Sequence, residues 1–168
     1  MTDPLAALAA RLAAIEDREN IRDLVARYGP LADCGDASGV AGLWTEDGSY
    51  EIAGFAVATG RTAIAALIKS SEHQALLSNG CAHLLGPLAI DLDGDTATAR
   101  GHSIVFRHCD DGFSVYRVAA NRWTFARTGD GWKVVQRVNR LLDGHEVARA
   151  LLASQGQDSS PRVARHRP

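Results

Sequence analysis

Residues 81–142, CAHLLGPLAIDLDGDTATARGHSIVFRHCDDGFSVYRVAANRWTFARTGDGWKVVQRVNRLL, decide how this chain folds. Four runs, near 81–92, 95–108, 113–127 and 131–142, carry the alternation and residue types of strands. Their links are Asp93-Gly94, Asp110-Asp111-Gly112 and Gly129-Asp130-Gly131, the chemistry that tight hairpin turns require. An antiparallel meander is predicted. In the second run Ala97, Ala99, Gly101, Ser103 and Val105 share one face; Thr96, Thr98, Arg100, His102, Ile104 and Phe106 share the other. The small residues suit a concave face that helices or a ligand approach closely, which places His102 on the outside. In the fourth run Lys133, Val135, Arg137, Asn139 and Leu141 oppose Trp132, Val134, Gln136, Val138 and Arg140. Neither set is cleanly apolar, so strict alternation predicts two partly covered faces.

Upstream of the meander the period changes. Leu5, Leu8, Leu12, Ile15, Ile21, Leu24 and Val25 recur at helical steps, predicting a helix over 5–28 that Gly29-Pro30 interrupts. Asp36 is placed as the N-cap of a short helix ending near Trp44, and 62–77 predicts a third helix. Residues 48–58 read as a strand pair bent at Gly54, and 144–153 as a last short helix. Helices first and strands after predict an α+β domain over 1–153. In it, N-terminal helices pack on the concave face of a strongly curved mixed, mainly antiparallel sheet, a cone-shaped barrel with a cavity suited to a small molecule. The polar tail 154–168 is expected to be disordered.

Composition narrows the functional classes. Of 168 residues, 46% are hydrophobic and 23% charged, with 18 basic against 20 acidic side chains. That near-balance, with no Lys/Arg stripe, argues against a nucleic-acid partner. No apolar run reaches the roughly 18 residues of a membrane span, and no membrane partner is expected. The acidic, amphipathic start does not resemble a signal peptide. Cys34, Cys81 and Cys109 are odd in number and unpatterned, so a reduced, cytoplasmic protein without structural zinc is expected.

Candidate chemistry is sparse. Asp33 precedes the Asp36 cap and has no capping duty of its own, leaving a loop carboxylate or a functional acid. His83 sits among apolar neighbours near a strand start, where an imidazole is either a structural hydrogen-bonding group or, if a carboxylate faces it, a general base. Tyr28 closes the first helix. Arg137 suits either an anionic or carbonyl group or a surface ion pair, and Asn121 offers a hydrogen bond. No GxSxG, Walker A, GxGxxG or HExxH motif occurs. The histidines at 73, 83, 102, 108, 145 and 166 show no ligand spacing, and neither metal nor cofactor is predicted.

The runs IRDLVARYGPLADCGD (21–36) and LWTEDGSYE (43–51), followed by CAHLLGPL (81–88), GDTATA (94–99) and GDGWKV (129–134), resemble SnoaL-like domains. These belong to the nuclear transport factor 2-like, or cystatin-like α+β, superfamily. The resemblance covers about residues 8–142, and its ordered set of motifs is more specific than any one of them. The branch it most resembles holds scytalone dehydratase, hexachlorocyclohexane dehydrochlorinase and bile-acid 7α-dehydratase. It implies a cofactor-free elimination built on an Asp–His pair, with Asp33 and His83 in those places. Tyr28, Tyr50 and Arg137 fall on the family's polar, aromatic and basic site positions. Scytalone dehydratase has a second histidine where this chain has Gly101.

The expectation is therefore a cofactor-independent lyase acting on a hydrophobic cyclic small molecule. His83, Asp33 and Tyr28 are the catalytic candidates; Tyr50, Arg137 and Asn121 are the substrate-binding ones. The superfamily also holds isomerases, cyclases and the non-catalytic small subunit of ring dioxygenases, which stay as alternatives. An outer sheet face bearing Ile104, Phe106 and Val118 suggests a homodimer or homotrimer.

Overall fold

Pro4 opens the first helix, α1 (Pro4–Ala26), where the N–H it lacks would have had no partner, and the Asp3 carboxylate accepts the Leu5 N–H at 3.0 Å. The computed structural model describes residues 3–52 and 56–153. Only the last third of the helix reaches the core, through Ile21, Leu24 and Val25; Leu5, Leu8, Leu12 and Ile15 stay exposed. Gly29-Pro30 does not stop the helical path as expected. The chain bends at Arg27 and re-enters helix as α2 (Tyr28–Asp33), with Pro30 in the first turn, where a missing N–H does no harm. Asp36 caps α3 (Ala37–Gly42) by accepting the Gly39 N–H at 2.8 Å, and Trp44 already belongs to the next strand.

β1 (Trp44–Ile52) pairs with β2 (Ala56–Thr59); the bend expected at Gly54 and the tail 154–168 lie outside the described residues. The helix expected over 62–77 is two, α4 (Arg61–Ile68) and α5 (Ser71–Asn79). Ser70 divides them, its hydroxyl accepting the His73 N–H at 3.2 Å as an N-cap. The strand expected over 81–92 is likewise divided at Gly86-Pro87 into β3 (Cys81–Leu85) and β4 (Ala89–Asp93). β5 (Thr96–Cys109), β6 (Gly112–Thr128) and β7 (Gly131–Leu141) follow with hairpins where the Asp/Gly signals lie, and α6 (Glu146–Leu152) closes the described chain.

The seven strands form one curved sheet in the order β2-β1-β7-β6-β5-β3, with β4 also on β5. β1 and β7 are parallel and every other pair is antiparallel, giving the mixed, mainly antiparallel α+β fold that was expected. Ala97, Ala99, Gly101, Ser103 and Val105 are all buried and His102 is exposed, as the parity of β5 predicts. In β7 strict alternation breaks. Phe125 pairs with Val134 and Thr124 with Gln136, so Val135 is the extra residue of a β-bulge. Trp132 and Val134 are buried before it, Arg137 and Asn139 after it. That single bulge turns Arg137 into the interior. On the outer face Val118 is exposed, while Ile104 and Phe106 are half-buried.

Trp44, Trp123, Phe125, Ile21, Ile64 and Val134 anchor a core shared by helices and sheet. Asp17 ties α1 to the β6–β7 hairpin, accepting from Arg127 at 2.7 Å and from the Trp132 indole at 3.0 Å. α2 and β3 approach closely: a Cβ added to Gly29 would stand 2.2 Å from the His83 carbonyl oxygen. Since that neighbour is backbone, Gly29→Ala must push helix and strand apart. Urea denaturation should show it less stable by about 1–3 kcal/mol, the usual cost of overpacking a core; an unchanged midpoint would mean that no such contact exists.

Candidate active site

The α2–β3 contact brings together two side chains fifty positions apart. Asp33, the last residue of α2, accepts the His83 backbone N–H at 2.8 Å through Oδ2. Its Oδ1 lies 2.6 Å from His83 Nδ1. An ionised carboxylate only accepts, so the ring donates Nδ1–H and leaves the Nε2 lone pair free. The His83 side chain is 13% exposed and that of Asp33 25%. Burial holds the His83 imidazole below its ordinary 6.5, against the opposing pull of the Asp33 hydrogen bond and charge. The result is a neutral, oriented base.

Cys81, two residues earlier on β3, donates its thiol to Asp33 Oδ1 at 3.6 Å. Burial first, and then the Asp33 charge, push that thiol up to about 11. Asp33, Cys81 and His83 place ligand atoms within 4.8 Å of one another, a proximity that their sequence spacing does not reveal. Within the described structure these groups bond to each other.

Arg137 borders the same cavity as His83 and is buried to 2% exposure. Its guanidinium carbon lies 4.4 Å from the Tyr28 ring, 4.6 Å from Tyr50 and 4.4 Å from Trp123. Nε donates to Asn121 Oδ1 at 2.9 Å, and Asn121 in turn donates to the Ser103 hydroxyl at 2.9 Å. Among the described residues no carboxylate pairs with Arg137, and its Nη1 and the Asn139 Oδ1 have no hydrogen-bond partner. The π faces offset part of the cost of a buried cation, about 0.5–2 kcal/mol each. An unpaired charge at this depth is poised for an electron-rich oxygen.

Tyr28, Tyr50, His83 and Arg137 all line one cavity of about 210 Å³. Ile52, Leu67, Ile68, Leu76, Leu85 and Val105 give it apolar walls, and Ser103 and Asn139 also line it. Burial pushes the Tyr28 phenol well above its ordinary value, keeping it a neutral hydrogen-bonding group. Asn121 does not border the cavity; it stands behind Arg137 and fixes that side chain's direction. Asp33 likewise acts from behind His83. The sequence reading missed His73, Ser103 and Trp123 as site residues. Ser103 had the parity signal, whereas nothing local to His73 distinguishes it.

A curved mixed sheet closed by helices around such a cavity defines the cystatin-like α+β class. The chain belongs to the SnoaL-like domain family, whose profile matches residues 13–138. No protein of curated function matches it. It is similar to a solved NTF2-like protein with a cystatin-like fold from Novosphingobium aromaticivorans, 58% identical, covering 92% of this chain and all of that one at a TM-score of 0.88. A protein of unknown function from Mycobacterium tuberculosis shares the fold at 24% identity, with 89% of each chain covered and a TM-score of 0.67. A protein provisionally named an aromatic ring hydroxylase, again from N. aromaticivorans, is 28% identical over 76% of this chain and 90% of its own, at a TM-score of 0.60. Among the described residues no helix is long and apolar enough to cross a membrane.

The depressed His83 value carries a sign. The unfolded chain takes up a proton near 6.5 before the folded protein does, so stability is lost as pH falls through that range. Urea unfolding at pH 7.5 and 5.5 should show a larger drop for the wild type than for His83→Gln. Equal drops would place His83 in an unperturbed setting.

Proposed function

We propose that this protein is a cofactor-independent lyase that eliminates water or a related leaving group from a compact, hydrophobic, cyclic carbonyl compound. The observation that carries this reading is the Asp33–His83 pair at a largely apolar cavity that an unpaired guanidinium also lines. His83 Nε2 takes a proton from the carbon beside the carbonyl. Asp33 holds the ring and stabilises the imidazolium that forms. Tyr28, Tyr50 and Arg137 offer hydrogen bonds and positive charge to the developing enolate oxygen. The cavity is small beside the roughly 300–1,000 Å³ of most ligand sites, which suits one or two rings.

Isomerisation and cyclisation begin with the same proton abstraction and share these residues. A different reading, a partner subunit without chemistry, draws on names: the provisional ring hydroxylase, and a dioxygenase β subunit from the same organism that shares the fold at 20% identity. Exposed Phe113, Val115 and Val118 on β6 are consistent with a second copy covering the outer sheet.

Proton abstraction has its own assay. In D2O, NMR should show the wild type exchanging the α-protons of cyclohexanone and 1-decalone above the buffer rate. His83→Ala and Asp33→Asn should each lose about 10²-fold or more, the usual contribution of a general base. Wild-type protein that exchanges neither ketone would contradict the lyase reading and favour the partner subunit.

A further inference from the structure

His83 is not the only imidazole at the cavity. His73, in the first turn of α5, also lines it, with its ring centroid 5.5 Å from that of His83 and the two planes tilted by 36°. Two observations show that its direction is built. The Ser70 cap fixes its backbone N–H. Its ring Nε2 lies 2.9 Å from the Ala32 carbonyl oxygen, on the residue beside Asp33. A carbonyl only accepts, so Nε2 carries a hydrogen and donates it. Nδ1 is then the nitrogen available for proton transfer, and it has no hydrogen bond to any described residue.

We propose that His73 is a second catalytic imidazole, whose Nδ1 delivers a proton to the departing oxygen while His83 removes the one from carbon. The proposal rests on the elimination reading above and adds the acid that reading lacks. The residue comes from a helix that the strand pattern does not touch; the outward-facing His102 on β5 cannot serve.

The proton and electron count closes. His83 Nε2 takes the α-proton, and the C–H electron pair passes through the enolate to become the new carbon–carbon double bond. In this step His73 enters as the imidazolium, with hydrogen on both ring nitrogens. The bond from the β-carbon to oxygen breaks with its pair on oxygen, which accepts the His73 Nδ1 proton and leaves as water. A β-hydroxy ketone thus becomes an enone plus water. His83 ends protonated and His73 neutral. Return of that proton between the facing rings, through the released water, restores the starting state.

His73→Gln separates this role from the base, because the glutamine amide can still donate to the Ala32 carbonyl but carries no transferable proton. His73→Asn is the second variant, and thermal unfolding checks that each is folded. The probes are cyclohexanone for α-proton exchange, 3-hydroxycyclohexanone for loss of water, and 3-acetoxycyclohexanone, whose acetate leaves without needing a proton. Both variants should keep exchange and acetate elimination within about threefold of wild type, while water loss falls about 10²-fold, the lower end of general acid catalysis. Variants that dehydrate the hydroxy ketone as fast as wild type would overturn the role of His73. So would wild type that exchanges protons but forms enone from neither substituted ketone, although the base would then stand. Absence of exchange in wild type would instead refute the reading beneath it.

Discussion

The hydrogen bond between Asp33 and the His83 ring joins the helical layer to the sheet, and the site depends on it. At 2.6 Å between partly buried groups, it sets which ring nitrogen carries the hydrogen and which faces the cavity. Its geometry is supported from three sides. The His83 backbone N–H takes the other carboxylate oxygen, the Cys81 thiol points at the same acid, and Gly29 lets α2 lie against the β3 backbone. A side chain at Gly29 would separate the pair before it altered any group that touches a ligand.

At the same cavity, the sheet holds a cation where cations are costly. Arg137 has three aromatic faces and one Asn121 oxygen for company, and no carboxylate among the described residues. A carboxylate there would cancel the field that makes the guanidinium useful. The rings and the amide stabilise it without neutralising it. The imidazole is correspondingly uncharged at rest, since burial outweighs its acid partner. A neutral base and an unpaired positive charge at one cavity suit a reaction in which negative charge appears transiently on oxygen.

Much of this was legible in the sequence, for identifiable reasons. Asp/Gly turns mark their hairpins locally, and the small-residue parity of β5 separates concave from convex, sending His102 outward. The pairing of Asp33 with His83 is not local; it came from resemblance, and only the packing of α2 on β3 supplies its physics. Two features escaped. The direction of Arg137 depends on a one-residue bulge at Val135 that no propensity marks, so alternation in β7 read as two mixed faces. His73 was invisible because the 62–77 segment read as one helix, whereas the Ser70 cap breaks it and turns α5 toward the cavity.

The central claim is that His83 is a neutral imidazole with its hydrogen on Nδ1, shared with Asp33, and a bare Nε2 facing the cavity. Nitrogen-15 NMR of the ring at neutral pH reads this directly. The account predicts an N–H-type signal for Nδ1, carrying a strongly downfield and slowly exchanging proton, and a lone-pair-type signal for Nε2. A hydrogen found on Nε2, or a ring averaging rapidly between both forms, would contradict it.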